Sequence, residues 1–204
     1  QPSQKPAKFT PLFNDGTGNF SYGSSSWIGV QPRGGASADL NGDGIKDVVT
    51  ANYTSKTVSI LMGLGKRQWA DEIKIQLTGQ PRYLLLEDFD TDGDIDLAVL
   101  DKGENHLWVF HNDGSANFTL EYTNDTSNIP HSMESGDVDN DGDFDIVVTH
   151  VGSSQQLLFI NDGTGHFPTV QVVYMIAGPA EVQLADVNND GKLDIVTANV
   201  NVQE

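Results

Sequence analysis

The chain of 204 residues has no cysteine, so it has neither disulfides nor thiolate metal ligands. It has no apolar run near the roughly 20 residues that cross a bilayer as a helix. Basic residues are scarce. Eleven Lys and Arg stand against 29 Asp and Glu, and the formal net charge of −18 argues against a nucleic-acid partner. Catalytic signatures are missing as well. There is no H-E-x-x-H, no G-x-S-x-G and no phosphate loop, and the five histidines are scattered, so the chain is not read as an enzyme. Glu87 and Glu134 are the one carboxylate pair that a polysaccharide-active reading can use. The chain begins at Gln1, without Met or a signal-peptide core, and reads as a mature or trimmed form.

What is present is acid in clusters. Four nine-residue stretches begin at Asp39, Asp88, Asp137 and Asp186, 49 residues apart with no insertion. The third reads D-V-D-N-D-G-D-F-D. Together they hold 16 of the 29 acidic residues. Carboxylates this close repel one another, and a hard cation with a taste for oxygen closes such a loop. They are not EF-hands. The twelfth places are Thr50, Val99, Val148 and Thr197 instead of Glu, and the flanks are strand-like. The spacing predicts calcium loops that join two strands, with about four ions in all. Side-chain oxygens come from places one, three, five and nine: Asp39, Asn41, Asp43 and Asp47; Asp88, Asp90, Asp92 and Asp96; Asp137, Asp139, Asp141 and Asp145; Asp186, Asn188, Asp190 and Asp194. A carbonyl comes from place seven: Ile45, Asp94, Asp143 or Lys192. Four Ca2+ reduce the net charge from −18 to −10. Loops of this kind suit extracellular calcium, and the protein is expected to be secreted. The sequons at Asn19, Asn52, Asn117 and Asn124 make it a candidate glycoprotein.

Two further markers keep the period. Pro32, Pro81, Pro130 and Pro179 each precede a short strand that runs into an acidic loop. The turn N-D-G-T-G-N-F at Asn14 returns at Asn112 and Asn161, with a degenerate copy from Gly63 to Trp69. Each repeat thus holds four short antiparallel strands, the pattern of a propeller blade. Trp27, Trp69 and Trp108 fall on outer strands, where packing between blades accounts for them.

The loop D-x-[DN]-x-D-G-x-x-D before a strand, with the N-D-G-x-G-x-F turn after it, resembles FG-GAP or VCBS repeats. These occur in integrin α-chain propellers and in many secreted adhesins, lectins and polysaccharide-active proteins. The resemblance covers nearly the whole chain from Phe9. It implies an all-β fold, a calcium-binding β-propeller, commonly of seven blades where this chain has about four repeats. The expected organisation is a loose leader at 1–8 and one domain at 9–204. Its blades fall at about 31–79, 80–128, 129–177 and 178–204, the last completed by 9–28. Phase implies this closure: the half-blade missing at one end is what the other end carries. It can close within a monomer or between two copies as a strand-swapped homodimer. The face opposite the calcium loops gathers Arg33, Arg82 and His131 at one phase, with Tyr53, Tyr83, Lys102 and His150. Arg suits planar anions, and Tyr and His suit sugars or partner side chains. The function expected is therefore a secreted recognition or adhesion module for a protein or glycan ligand. The alternative is a lyase-type enzyme or its accessory domain.

Overall fold

The computed structural model describes residues 5–127, 129–151, 153–175 and 178–199. Among them every regular element is a strand, eighteen in all, and no helix is long and apolar enough to cross a membrane. Three four-stranded antiparallel meanders follow one another. The first is β5 (Pro32–Ala38), β6 (Asp47–Asn52), β7 (Thr57–Leu61) and β8 (Ile73–Gln76). The second is β9 (Pro81–Glu87), β10 (Asp96–Asp101), β11 (His106–Asn112) and β12 (Phe118–Asp125). The third is β13 (Pro130–Gly136), β14 (Asp145–His150), β15 (Gln155–Ile160) and β16 (Thr169–Tyr174). A two-stranded sheet of β17 (Pro179–Ala185) and β18 (Asp194–Asn199) repeats the first half of the pattern. Ahead of them all lies a hairpin in which β1 (Ala7–Phe9) pairs with β4 (Ser26–Ile28), and β2 (Leu12–Asn14) with β3 (Phe20–Tyr22).

The second strand of each full sheet shows why the sheets stack. β10 reads Asp-Leu-Ala-Val-Leu-Asp and is buried along its length. Side chains alternate between the faces of a strand. Leu97 and Val99 pack with Val49, Ala51 and Ile60 of the preceding sheet, and Ala98 and Leu100 with Met133, Ile146 and Phe159 of the following one. The core therefore lies between sheets. The first strands β5, β9, β13 and β17 lie side by side and form the inner rim, from which the sheets extend outward to partly exposed fourth strands.

Each inner strand opens on its proline, where no ladder N–H is needed. The register then slips. Pro81 faces Asp101 and Tyr83 faces Leu100, so Arg82 is bulged out of the ladder. Arg33, His131 and Ala180 are skipped in the same way. A bulge re-aims the extra side chain, and here it does so at the end of the inner rim far from the acidic loops.

The hairpin departs from expectation twice. Strand structure begins at Ala7, so residues 7 and 8 belong to it and not to the leader, and Lys8 Nζ sits 4.4 Å from the Trp27 ring centroid. The pairing expected between Phe9–Trp27 and Ala180–Asn199 is not made among the described residues. β1–β4 pair only with one another, and β17 pairs with β18. The hairpin instead packs on the first sheet, with Phe9 edge-on to Trp69 at 5.1 Å and Arg67 over Phe13 at 4.8 Å. Residues 1–4 of the expected leader and 200–204 of the expected last blade lie outside the described residues.

Candidate functional site

The four acidic loops connect the first and second strands of successive sheets, so all lie on one side of the fold. Their backbones repeat the same turn. Asp88 accepts the N–H of Asp92 at 3.1 Å and of Gly93 at 2.9 Å, and Asp92 accepts the N–H of Asp94 at 2.8 Å. Asp39, Asp137 and Asp186 hold their loops with equivalent bonds. Ile45, Asp143 and Lys192 at place seven likewise donate to the fifth-place carboxylates. The sixth-place glycine is left-handed throughout, with φ between 81° and 103°.

Place nine is different. Asp47, Asp96 and Asp145 are fully buried. In each, Oδ2 accepts the N–H of place two: Leu40 at 2.9 Å, Phe89 at 3.0 Å and Val138 at 3.0 Å. Oδ1 accepts an N–H from the end of the third strand: Gly63 at 2.7 Å, Asn112 at 2.9 Å and Asn161 at 2.9 Å. Asp194 makes the first of these bonds, to Val187 at 3.1 Å.

The donor set fits a hard cation. Carboxylate oxygens of Asp88, Asp90 and Asp92 lie within 4.8 Å of one another, as do those of Asp137, Asp139 and Asp145. In loops one and four, Asn41 and Asn188 stand at the third place and turn their oxygens to the N–H of Asp43 and Asp190, at 3.2 and 2.9 Å. Burial pushes the Asp96 carboxyl up to about 6 against its N–H bonds to Asn112 and Phe89. Burial also raises Asp47 and Asp145, and burial with a neighbouring carboxylate raises Asp90 and Asp139. Asp39 and Asp186 are held low instead, first by the N–H groups of Gly44 and Gly191. One neighbour was not legible from spacing. His111 is largely buried, with Nδ1 3.3 Å from Asp90 Oδ2. It groups with Asp90 and Asp96 as a further potential metal donor.

The opposite end of the inner rim carries the second constellation. His131 Nδ1 lies 2.6 Å from the Ala180 carbonyl oxygen, which can only accept, so Nδ1 carries the proton. Nε2 then accepts from Arg82 Nη2 at 2.8 Å. One place along, Tyr83 donates its hydroxyl to Glu181 at 2.9 Å, and Ser132 donates to the same carboxylate at 3.1 Å. Tyr83, Ser132 and Glu181 are equivalent in phase. The fourth equivalent is Gly34, where a Cβ would sit 2.7 Å from the Arg82 carbonyl oxygen. Beside the cluster is a cleft of about 620 Å³ lined by Tyr83, Ser132, Glu134, Glu181, Gln183 and Thr197, among others. Glu134 lines it, and Glu87 lies on the neighbouring inner strand. Burial raises both, and Glu87 raises Glu134 further.

The expected ligand residues are thus only partly assembled. Arg82, Tyr83 and His131 come together, and Glu181 and Ser132 join them. Arg33 lies apart, 5.8 Å from the Tyr53 ring centroid. Lys102 sits in the β10–β11 turn, where its N–H bonds the Gln80 carbonyl at 3.1 Å. His150 cannot serve a ligand on this face. It is 1% exposed, and its Nε2 bonds the Thr126 carbonyl oxygen. It occupies the place of Asn52 and Asp101, which pin the same turn in the other sheets. Asn52 is fully buried as well, with Nδ2 2.7 Å from Ser59 Oγ, which removes it as a glycan acceptor in the folded chain.

Four-stranded antiparallel meanders set side by side about their first strands define a protein of the β-propeller class. Solved structures agree on the fold. BBS1N in complex with ARL6DN, soaked with mercury, aligns with a TM-score of 0.64 at 12% identity over 91% of this chain and 53% of that one. A lectin of Agrocybe aegerita, described by its specific recognition of non-reducing terminal N-acetylglucosamine, aligns with a TM-score of 0.58 at 17% identity over 96% of this chain and 60% of its own. The chain therefore spans little more than half the length of these structures. No curated protein shows significant sequence similarity to it. Residues 88–148 and 137–197 each match the FG-GAP-like repeat, together more than half of the sequence, and the chain belongs to that family.

Proposed function

We propose that the protein is a secreted, calcium-stabilised recognition module that binds a protein or glycan ligand at the end of its inner rim, opposite the acidic loops. The observation that carries this reading is the cleft lined by Tyr83, Ser132 and Glu181, whose side chains are hydrogen-bonded to one another through the Glu181 carboxylate. It offers an aromatic ring, a hydroxyl and a carboxylate within one concave site, a mixture that orients sugars and polar side chains. The similar structures include one propeller seated on a protein partner and one that recognises a terminal sugar, and either kind of ligand suits this cleft. Calcium acts from the other side. The site does not exist in the unfolded chain, so binding free energy adds to folding free energy. We further propose that the ring of sheets closes, giving a partner strand to the outer edge of β18, which pairs only with β17 among the described residues.

Binding is the expected activity. Glu134 lines the cleft, and Glu87 lies on the adjacent inner strand. A glycan array probed with and without EDTA, using the parent protein and Tyr83→Ala and Glu181→Ala variants, tests the reading. Calcium-dependent binding that both variants lose supports it. Binding indifferent to both substitutions moves the ligand elsewhere. Cleavage of a bound polysaccharide that Glu87→Gln abolishes would favour the enzyme instead.

A further inference from the structure

The hydrogen bonds of the place-nine carboxylates do not stop within their own loops. The backbone N–H of Asn112 donates to Asp96 at 2.9 Å, while its side-chain Nδ2 donates to the carbonyls of Leu40 at 2.8 Å and Ile95 at 3.0 Å. Leu40 belongs to the loop of the preceding sheet, and its own N–H donates to Asp47 at 2.9 Å. One sheet further on the arrangement repeats. The N–H of Asn161 donates to Asp145 at 2.9 Å, and its Nδ2 donates to the carbonyls of Phe89 at 2.7 Å and Phe144 at 3.1 Å. Phe89 N–H in turn donates to Asp96 at 3.0 Å. An unbroken hydrogen-bonded path therefore joins Asp47 to Asp96 through Leu40 and Asn112, and Asp96 to Asp145 through Phe89 and Asn161.

Every carboxylate on this path is fully buried, and both asparagines are 3% exposed, so water does not stand in for a lost partner. Only a primary amide does this work, since one NH2 spans two carbonyls from different sheets. Aspartate has no hydrogen to give, and alanine has nothing. The first sheet carries Gly63 at the equivalent place, which keeps the N–H bond to Asp47 at 2.7 Å and offers no side chain to another loop. No such bond reaches the loop 186–194 among the described residues.

We propose that the loops 39–47, 88–96 and 137–145 take up cations as one coupled unit, with Asn112 and Asn161 as the couplers. This rests on the reading of the loops as cation sites. A cation that fixes Asp96 fixes the Asn112 backbone, whose side chain then holds the carbonyl of Leu40, the residue whose own N–H orients Asp47. The second ion meets a loop already ordered and spends less conformational entropy. The coupling is reciprocal, because a binding free energy shared between two sites has no direction.

The test is a Ca2+ titration of the chelator-stripped chain followed by amide NMR. Gly44, Gly93, Gly142 and Gly191 each donate to the first carboxylate of their loop and report its occupancy. Gly44, Gly93 and Gly142 are expected to follow one curve steeper than a simple hyperbola. Asn112→Ala should detach Gly44 from Gly93 and weaken the first loop roughly fivefold or more. Asn161→Ala should detach Gly142. The wild-type titration decides the matter even if a variant fails to fold. Separate hyperbolic curves for the three glycines, unaltered by Asn112→Ala, overturn the coupling and leave the cation sites standing. If no glycine amide responds to Ca2+, the cation reading falls and the coupling with it.

Discussion

Asp96 should make the pH dependence of stability change sign with calcium. Its carboxyl is fully buried and is raised from 3.8 to about 6, chiefly by loss of water. Between those values the folded chain holds a proton that the unfolded chain has released. The metal-free fold therefore gains stability on acidification, a gain complete below 3.8 and lost as pH rises through 6. From pH 7 to pH 5 that gain is about 1 kcal/mol, at 1.36 kcal/mol for each pH unit below the folded value. Calcium reverses the sense, because a ligating carboxylate must be deprotonated and protons compete with the ion. Urea unfolding of the parent and of Asp96→Asn, at pH 7 and pH 5, in EDTA and in excess Ca2+, isolates this residue, since other titrating groups cancel in the difference. In EDTA the advantage of the parent over the variant should grow by about 1 kcal/mol on acidification. With Ca2+ it should shrink. A change of the same sign in both media refutes the assignment of Asp96 as both buried acid and cation ligand.

Three further predictions follow from the geometry. Loops two and three offer four anionic ligands each and loops one and four only three, so calorimetry on Asp→Asn variants should show the larger losses of Ca2+ affinity at Asp90 and Asp139 than at Asp43 and Asp190. Thr91 is a β-branched residue at φ 60°, where the other loops place Gly42, Asn140 and Asn189, so Thr91→Asn should raise the stability of the metal-free protein by roughly 1 kcal/mol in denaturant titrations. His150 is buried with Nε2 on the Thr126 carbonyl and, among the described residues, no partner for Nδ1, and burial lowers it below 6.5, so the neutral ring stabilises the fold above that value and the contribution is lost as pH falls. His150→Asn, the residue that the first sheet carries at this place, should flatten the loss of melting temperature between pH 7 and pH 5; an unchanged acid slope would contradict the assignment.

The architecture was legible because it is written in covalent spacing. The 49-residue interval, the Asp-Gly loops and the strand-opening prolines each predict an element that appears where expected, such as β9 and β10 flanking Asp88–Ile95. What escaped are relations between residues one or two periods apart, which depend on how closely adjacent sheets approach. Tyr83 meets Glu181 across 98 positions, and Asn112 reaches Leu40 across 72. No local pattern encodes either. His150 looked like a displayed residue because turns tend to be exposed, yet its place in the repeat is an internal pin, as Asn52 and Asp101 show. The N-terminal hairpin pairs with itself and rests Phe9 on Trp69, a contact that phase alone does not specify.

The bulge after each inner-strand proline separates two tasks that most strands combine. A residue with no ladder partner can change its chemistry without disturbing the register on either side, and positions 33, 82, 131 and 180 already hold Arg, Arg, His and Ala on a constant frame. Variation there is inherited one side chain at a time. A library randomised at those four codons alone would sample recognition surfaces while leaving the inter-sheet core and the acidic loops untouched, so selection for a new ligand need not also select for rescue of the scaffold.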